Sequence, residues 1–231
     1  SFLKERELPS EEIVLNYLAS MNKEEWLKHE NLSLIKEHLR TPYNSIYSYL
    51  AKQETKTLSA VSSAMSAIHK RYVKFLVNEK RSSNEVSEFL EHLANSRVDP
   101  KTIAYHRFVI DLLTAKRNQD WDRYSRVAIT YINTYKLDDP AFLNIYAYAL
   151  YKNANITEPK VLNVALGWIE LALKGNNSNN YYYLDTKASL LYKLGKKEEA
   201  LSTANKAVEI MKKLGGNASE TVLLIKKIKS K

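Results

Sequence analysis

The chain has 231 residues, enough for one large domain or two modest ones, with 45% hydrophobic and 26% charged residues, the proportions of a globular protein. It holds no cysteine, which excludes disulfides, thiolate zinc sites, iron–sulfur clusters and a cysteine nucleophile. The formal charge of +9 is unevenly spread: residues 1–115 carry a net +1 and residues 116–231 a net +8.

The last 20 residues set six lysines against Glu220. Such a tail reads either as a solvated face of a terminal helix or as an electrostatic footprint for an acidic partner. No apolar run approaches the roughly 18 residues that cross a bilayer, so no membrane span is expected. The chain begins at Ser1 without a methionine, as a processed chain or a fragment of a longer protein does. Five glycines and five prolines are few for this length and argue against an all-β fold with many tight turns. Sixteen tyrosines suit thin layers with much surface, because tyrosine fills a core while its hydroxyl reaches water or a partner.

Prolines mark helix starts. Pro9, Pro42, Pro100, Pro140 and Pro159 each precede an apolar-periodic segment, and the first helical position tolerates a missing N–H. Gly175, Gly195 and the Gly215-Gly216 pair follow such segments, as helix stops do. The pattern predicts helices at about 10–20, 23–39, 43–53, 56–79, 83–96, 101–117, 120–136, 141–153, 159–174, 181–194, 197–214 and 218–229, an all-α chain of antiparallel helix pairs.

The first 97 residues form an N-terminal helical subdomain without a repeat. Ile13, Tyr17 and Leu18 give one short apolar stripe, Trp26, Leu27, Leu34 and Ile35 a second, and the stretch from Asn44 to Leu50 a third. "VLNYLASMNKEEWLKHENLSLIKEHL", then "NSIYSYLAK", then a long helix ending "AIHKRYVKFL", resembles the helical extension that follows the thioredoxin domain in a group of bacterial thioredoxin-like proteins. The resemblance implies that these residues are the extension alone, since the redox domain needs a Cys-x-x-Cys. It also implies an extracytoplasmic setting and an upstream thioredoxin-like domain of the same polypeptide.

The second half repeats itself. Ala147-Tyr148-Ala149-Leu150-Tyr151-Lys152 matches Ala188-Ser189-Leu190-Leu191-Tyr192-Lys193 as A-x-x-L-Y-K, and Ala165-Leu166 with Ala172 matches Ala200-Leu201 with Ala207. A polar insertion around Asn153–Thr157 belongs on a loop. A more worn copy precedes these, with Tyr124, Ala128, Tyr131 and Tyr135 as the inner face of its second helix.

Small alanines at crossing points let helix backbones approach closely, and this stretch resembles tetratricopeptide (TPR) repeats. Leu184 takes the Trp place, Ala188 the Gly, Leu191 the Tyr and Gly195 the turn; Lys187, Ala204 and Lys212 depart from the pattern. The resemblance implies a right-handed α–α superhelix of TPR-like pairs over residues 98–231, at about 101–137, 141–175 and 181–211. A capping helix at 217–230 follows, with Val222, Leu223, Ile225 and Ile228 as its apolar face.

Chemistry is sparse in the pattern. The five histidines, His29, His38, His69, His92 and His106, make no close metal-ligand spacing, and His38 and His69 read as partly exposed helix residues. Paired carboxylates such as Glu198-Glu199 sit in first helical turns, where the macrodipole favours them. No phosphate loop or nucleophile elbow occurs, so no enzyme activity, metal or cofactor is expected.

Three successive aromatics cannot all face one core. Tyr181, Tyr182 and Tyr183, with Lys187 one turn on, are therefore the candidate interaction surface. The expected role is a non-catalytic helical-repeat domain for protein–protein or interdomain contacts, with a protein or peptide partner. The alternative is nucleic-acid or acidic-partner binding through the basic half.

Overall fold

A computed structural model describes residues 11–53 and 59–230 of the chain. The fold is all-α, and no strand occurs among the described residues. The helices in chain order are α1 (Glu11–Ala19), α2 (His29–His38), α3 (Ser45–Leu50), α4 (Ser59–Asn78), α5 (Ser83–Asn95) and α6 (Pro100–Arg117), then α7 (Trp121–Tyr135), α8 (Pro140–Lys152), α9 (Pro159–Ala172), α10 (Tyr181–Lys193), α11 (Lys197–Lys213) and α12 (Ser219–Lys229). Short 3₁₀ turns lie at Lys23–Leu27 and Gly175–Asn177. The expected helix starts at residues 10 and 56 fall outside the described residues.

The chain divides into two compact units, 1–114 and 115–231. The division falls inside α6, later than the boundary of 97/98 drawn from the repeat pattern. The reason lies in what α6 buries. Its Ile110 belongs to the core of the first unit, and Ile103, Val109 and Leu113 pack against that core. The segment expected as a first repeat pair, 101–137, is therefore shared between the two units.

In the first unit, α1, α2 and α4 pack around Leu18, Ile35, Leu39, Leu50, Ile68 and Phe89, all fully buried. The single helix expected at 23–39 is broken. Lys28 is extended (φ −64°, ψ 146°), because two side chains fold the preceding turn onto itself. The Asn31 amide donates to the Glu25 carbonyl at 2.8 Å, and the Trp26 indole donates to the Leu18 carbonyl at 2.7 Å. Trp26 thus turns toward α1 and meets Tyr49 edge-on at 5.3 Å, leaving the stripe predicted for it. The first stripe is also corrected: Val14 and Leu18 are buried, whereas Ile13 and Tyr17 are exposed. Asn44 caps α3 through Tyr47 N–H, so Pro42 lies outside the helix it was expected to start.

His69 is 3% exposed, not a partly exposed residue as its helical position suggested. Its Nε2 lies 2.8 Å from the Tyr47 hydroxyl and its Nδ1 lies 3.1 Å from His106 Nε2. This Tyr47–His69–His106 chain joins α3, α4 and α6 through the middle of the unit. A buried polar chain of this kind is stable when every member is paired and costly when one is not. Burial, with a smaller repulsion from His106 and then His92, lowers the His69 pKa to about 3. Burial, with Lys70 adding to it, lowers that of His106 to about 4.

In the second unit the predicted pairs are present. α8 packs on α9 and α10 on α11, while α10 also packs on α9, α8 and α12. Ala147, Ala165, Ala172, Ala188, Ala200 and Ala207 are fully buried, which places small side chains where helices meet. The turn of the second pair closes on Gly195 (φ 79°): Gly195 N–H donates to the Tyr192 carbonyl and Lys196 N–H to Leu191. These two hydrogen bonds satisfy carbonyls of the last turn of α10, and the left-handed conformation they require suits glycine. The same pair of bonds ends α4 and α5 at Lys80 and Arg97, which hold positive φ without being glycine. Tyr135 is exposed, so of the four residues expected on the inner face of α7 only Tyr124, Ala128 and Tyr131 are buried, joined there by Ser125 and Ile132.

The histidine chain makes stability depend on pH with a definite sign. Both folded-state values lie below the ordinary histidine value of about 6.5, so the unfolded chain binds protons that the folded one excludes. The contribution is complete above pH 6.5 and is lost as pH falls toward 4 and then 3. Each imidazole adds a slope of about 1.4 kcal/mol per pH unit in that window. Urea titrations from pH 7.5 to 4.5 are expected to show the decline, and His69→Gln a shallower one by about that amount. Equal slopes in the two proteins would contradict the assignment.

Candidate functional site

The faces of α8, α10 and α12 that turn away from the partner helices meet along one groove. Helical spacing puts Asn144, Ile145, Tyr148 and Lys152 on one face of α8, Tyr182, Asp185, Thr186 and Ser189 on one face of α10, and Glu220, Leu223 and Lys227 on one face of α12. The groove has two adjoining hollows that share Tyr148, Asp185 and Glu220. The larger, of about 520 Å³, has Ile145 and Tyr182 on its walls. The smaller, of about 230 Å³, is bordered by Lys152, Leu223 and Lys227. The larger volume lies within the range of ligand clefts.

Local sequence explains the placement. Asn180 caps α10, its side-chain oxygen accepting the N–H groups of Tyr182 (3.0 Å) and Tyr183 (3.4 Å), which fixes Tyr182 in the first turn. Asp139 caps α8 ahead of Pro140 by accepting from Phe142 N–H at 3.0 Å. Lys193 anchors the far end. Its ammonium donates to the carbonyls of Tyr151 (2.7 Å) and Asn153 (2.6 Å), pinning the start of the α8–α9 loop. Burial lowers the Lys193 pKa, but three carbonyls, with Leu150 as the third, meet its three protons.

Of the four predicted site residues, Tyr181 and Tyr182 border the groove. Tyr182 is 65% exposed, whereas Tyr181 is buried and packs edge-on against it at 5.2 Å. Tyr183 and Lys187 are not brought to it. One residue along a helix turns the side chain by about 100°, and four return it, so 183 and 187 share a different face. Lys187 pairs instead with Glu170 of α9 at 3.2 Å. Leu223 is the other correction: it was assigned to the apolar face of α12 but is 57% exposed in the groove, and Thr221, Leu224 and Ile228 are the buried residues.

Sequence reasoning missed Ile145, Asp185 and Glu220. Ile145 is 60% exposed and, with Tyr182 and Leu223, gives each helix of the groove one exposed apolar side chain. Asp185 ends a buried relay. Thr221 is fully buried, its hydroxyl donates to Asp185 Oδ1 at 2.5 Å, and the Tyr181 hydroxyl lies 2.8 Å from Thr221 Oγ1. With Asp185 ionised and Thr221 donating to it, the order is Tyr181 to Thr221 to Asp185. Burial raises the Asp185 pKa above the ordinary carboxyl value; the Thr221 hydrogen bond opposes this, Glu220 adds to it and Lys152 counters it. The signal available in sequence was the set 182, 185, 189 opposite the alanine stripe, which becomes a site only with α8 and α12 beside it.

No group of three or more metal-ligating side chains is gathered among the described residues. None of the described helices is long and apolar enough to cross a membrane. Comparison with protein-family models, with curated proteins and with solved structures finds no match to this chain.

The relay ties α10 to α12 and so holds the groove together. Replacing Thr221 with the isosteric valine leaves the Tyr181 hydroxyl and Asp185 without their partner. Unfolding by denaturant is expected to show a loss of about 1–3 kcal/mol. Unchanged stability would mean that water serves both groups equally well.

Proposed function

We propose that this chain is a non-catalytic helical-repeat domain, of the TPR-like kind, whose α8–α10–α12 groove binds a peptide segment of another protein or of an adjoining domain. The groove itself carries this reading. Three successive pairs or caps each present one exposed apolar side chain to a shared cleft, in a unit whose remaining apolar residues go largely to helix packing. Exposed tyrosine flanked by aliphatic residues is a common anchor of binding surfaces, since it offers large contact area at small entropic cost. The resemblance of the first half to thioredoxin-like extensions makes an upstream thioredoxin-like domain a natural neighbour, in an extracytoplasmic protein.

The test starts from peptides selected on the intact chain from a random display library. Their affinities are then measured by fluorescence polarisation. Tyr182→Ala and Ile145→Ala are each expected to weaken binding tenfold or more, about 1.4 kcal/mol. Leu214→Ala, at an exposed apolar residue outside the groove, is expected to leave it unchanged. Selected peptides that bind all three variants as they bind the parent would sink the proposal, as would a selection that enriches nothing.

A further inference from the structure

We propose that the larger hollow of this groove receives a basic side chain of the bound peptide, arginine in preference to lysine. This rests on the groove being the binding surface and specifies what it selects. The chain carries +9 overall, and most of that lies in the half that builds the groove. Yet the larger hollow contains Asp185 and Glu220 and no basic residue. A positively charged protein has thus placed two carboxylates together in a hollow with the exposed Tyr182 in its wall.

The charges there are under-compensated. Only one oxygen of Asp185 is engaged, by Thr221, and no hydrogen bond or ion pair from the described residues reaches the other. Glu220 is exposed and makes no ion pair among the described residues. Lys152, which acts electrostatically on both carboxylates, lies over the Tyr148 ring at 5.6 Å and borders the smaller hollow rather than the larger. The arrangement of Lys152 over Tyr148 also shows, within the molecule, the contact that a bound cation would repeat on Tyr182.

A second, independent feature points to a hydrogen-bond donor. Asn144, on the α8 wall of the same hollow, has a buried side-chain oxygen with no hydrogen-bond partner. A buried acceptor left unpaired is costly, and Asn144 lines the same hollow as the two carboxylates. Asn144, Asp185 and Glu220 thus set three acceptor-bearing side chains along one hollow, with Tyr182 beside them.

A guanidinium meets this set better than an ammonium. It is planar, so it stacks on a tyrosine ring, and it spreads its N–H groups in a fork that reaches separate acceptors. A neutral ligand would leave the carboxylates as they are, and an anion would be repelled by them. The apolar wall at Ile145 packs the methylene stem of the side chain.

The experiment uses three fluorescein-labelled pentapeptide pools, randomised except for a central arginine, lysine or citrulline. Citrulline keeps the shape of arginine and removes its charge. Binding to the intact chain is read by fluorescence polarisation. The arginine pool is expected to bind at least tenfold tighter than the citrulline pool, with lysine between them. Asp185→Asn and Glu220→Gln are each expected to shrink the arginine-to-citrulline ratio at least threefold while leaving the citrulline pool's affinity in place. Glu220 is exposed, so its variant folds whether or not the Asp185 variant does.

Equal binding of the arginine and citrulline pools overturns the proposal. If Tyr182→Ala still weakens both pools, the groove as binding surface survives that result. A ratio that persists through Glu220→Gln and a folded Asp185→Asn also overturns it. No binding by any pool removes both readings together.

Discussion

Close approach of helix backbones at alanine is the constraint from which the second unit follows. Ala147 and Ala188 sit at equivalent places on α8 and α10, and Ala165, Ala172, Ala200 and Ala207 do the same on α9 and α11, all without solvent exposure. A larger side chain at any of these points would push two helices apart by more than the packing can absorb. The close packing has a second effect. It sets the first helices of successive pairs side by side, so that α8 touches α10 and α10 touches α12. Their outward faces then have no helix to cover them. The groove is what remains when the alanine faces are satisfied.

Polar contacts refine this arrangement. The Tyr181–Thr221–Asp185 relay and the Lys193 anchor each join positions about 40 residues apart, and each engages a charged group at least partly removed from water. Burying a charge is costly unless hydrogen bonds meet it. Lys193 is fully met by carbonyls, whereas Asp185 is met on one oxygen only. That difference separates a structural charge from one with capacity left for a ligand. In the first unit the same principle acts on neutral groups: His69 and His106 fill a core with polar rings that bond each other and Tyr47.

The helix pairs were legible in the sequence because their causes are local. Alanine spacing, a glycine at the turn and a proline behind an aspartate each act within a few residues of where they are read. The break at Lys28 was not legible, since it depends on Trp26 and Asn31 finding partners off their own turn. The ends of α4 and α5 were legible, expected at 79 and 96, but their closure was not, because Lys80 and Arg97 hold the left-handed conformation that a glycine usually marks. His69 and His106 stand 37 positions apart and meet only once α4 and α6 are packed. The site was half visible. A run of three tyrosines demanded that one face outward, and Tyr182 does. Which neighbours it would find depended on the register of α8 and α12, which no short-range pattern encodes.

The central claim is that the α8–α10–α12 face is where this molecule meets its partner. Amide chemical-shift mapping of the isotopically labelled chain, titrated with a tightly bound selected peptide, tests it most directly. The account predicts that the shifts concentrate at Ile145, Tyr148, Tyr182, Asp185, Glu220 and Leu223. Shifts confined to the outer helices α9 and α11, or to the first unit, would contradict it.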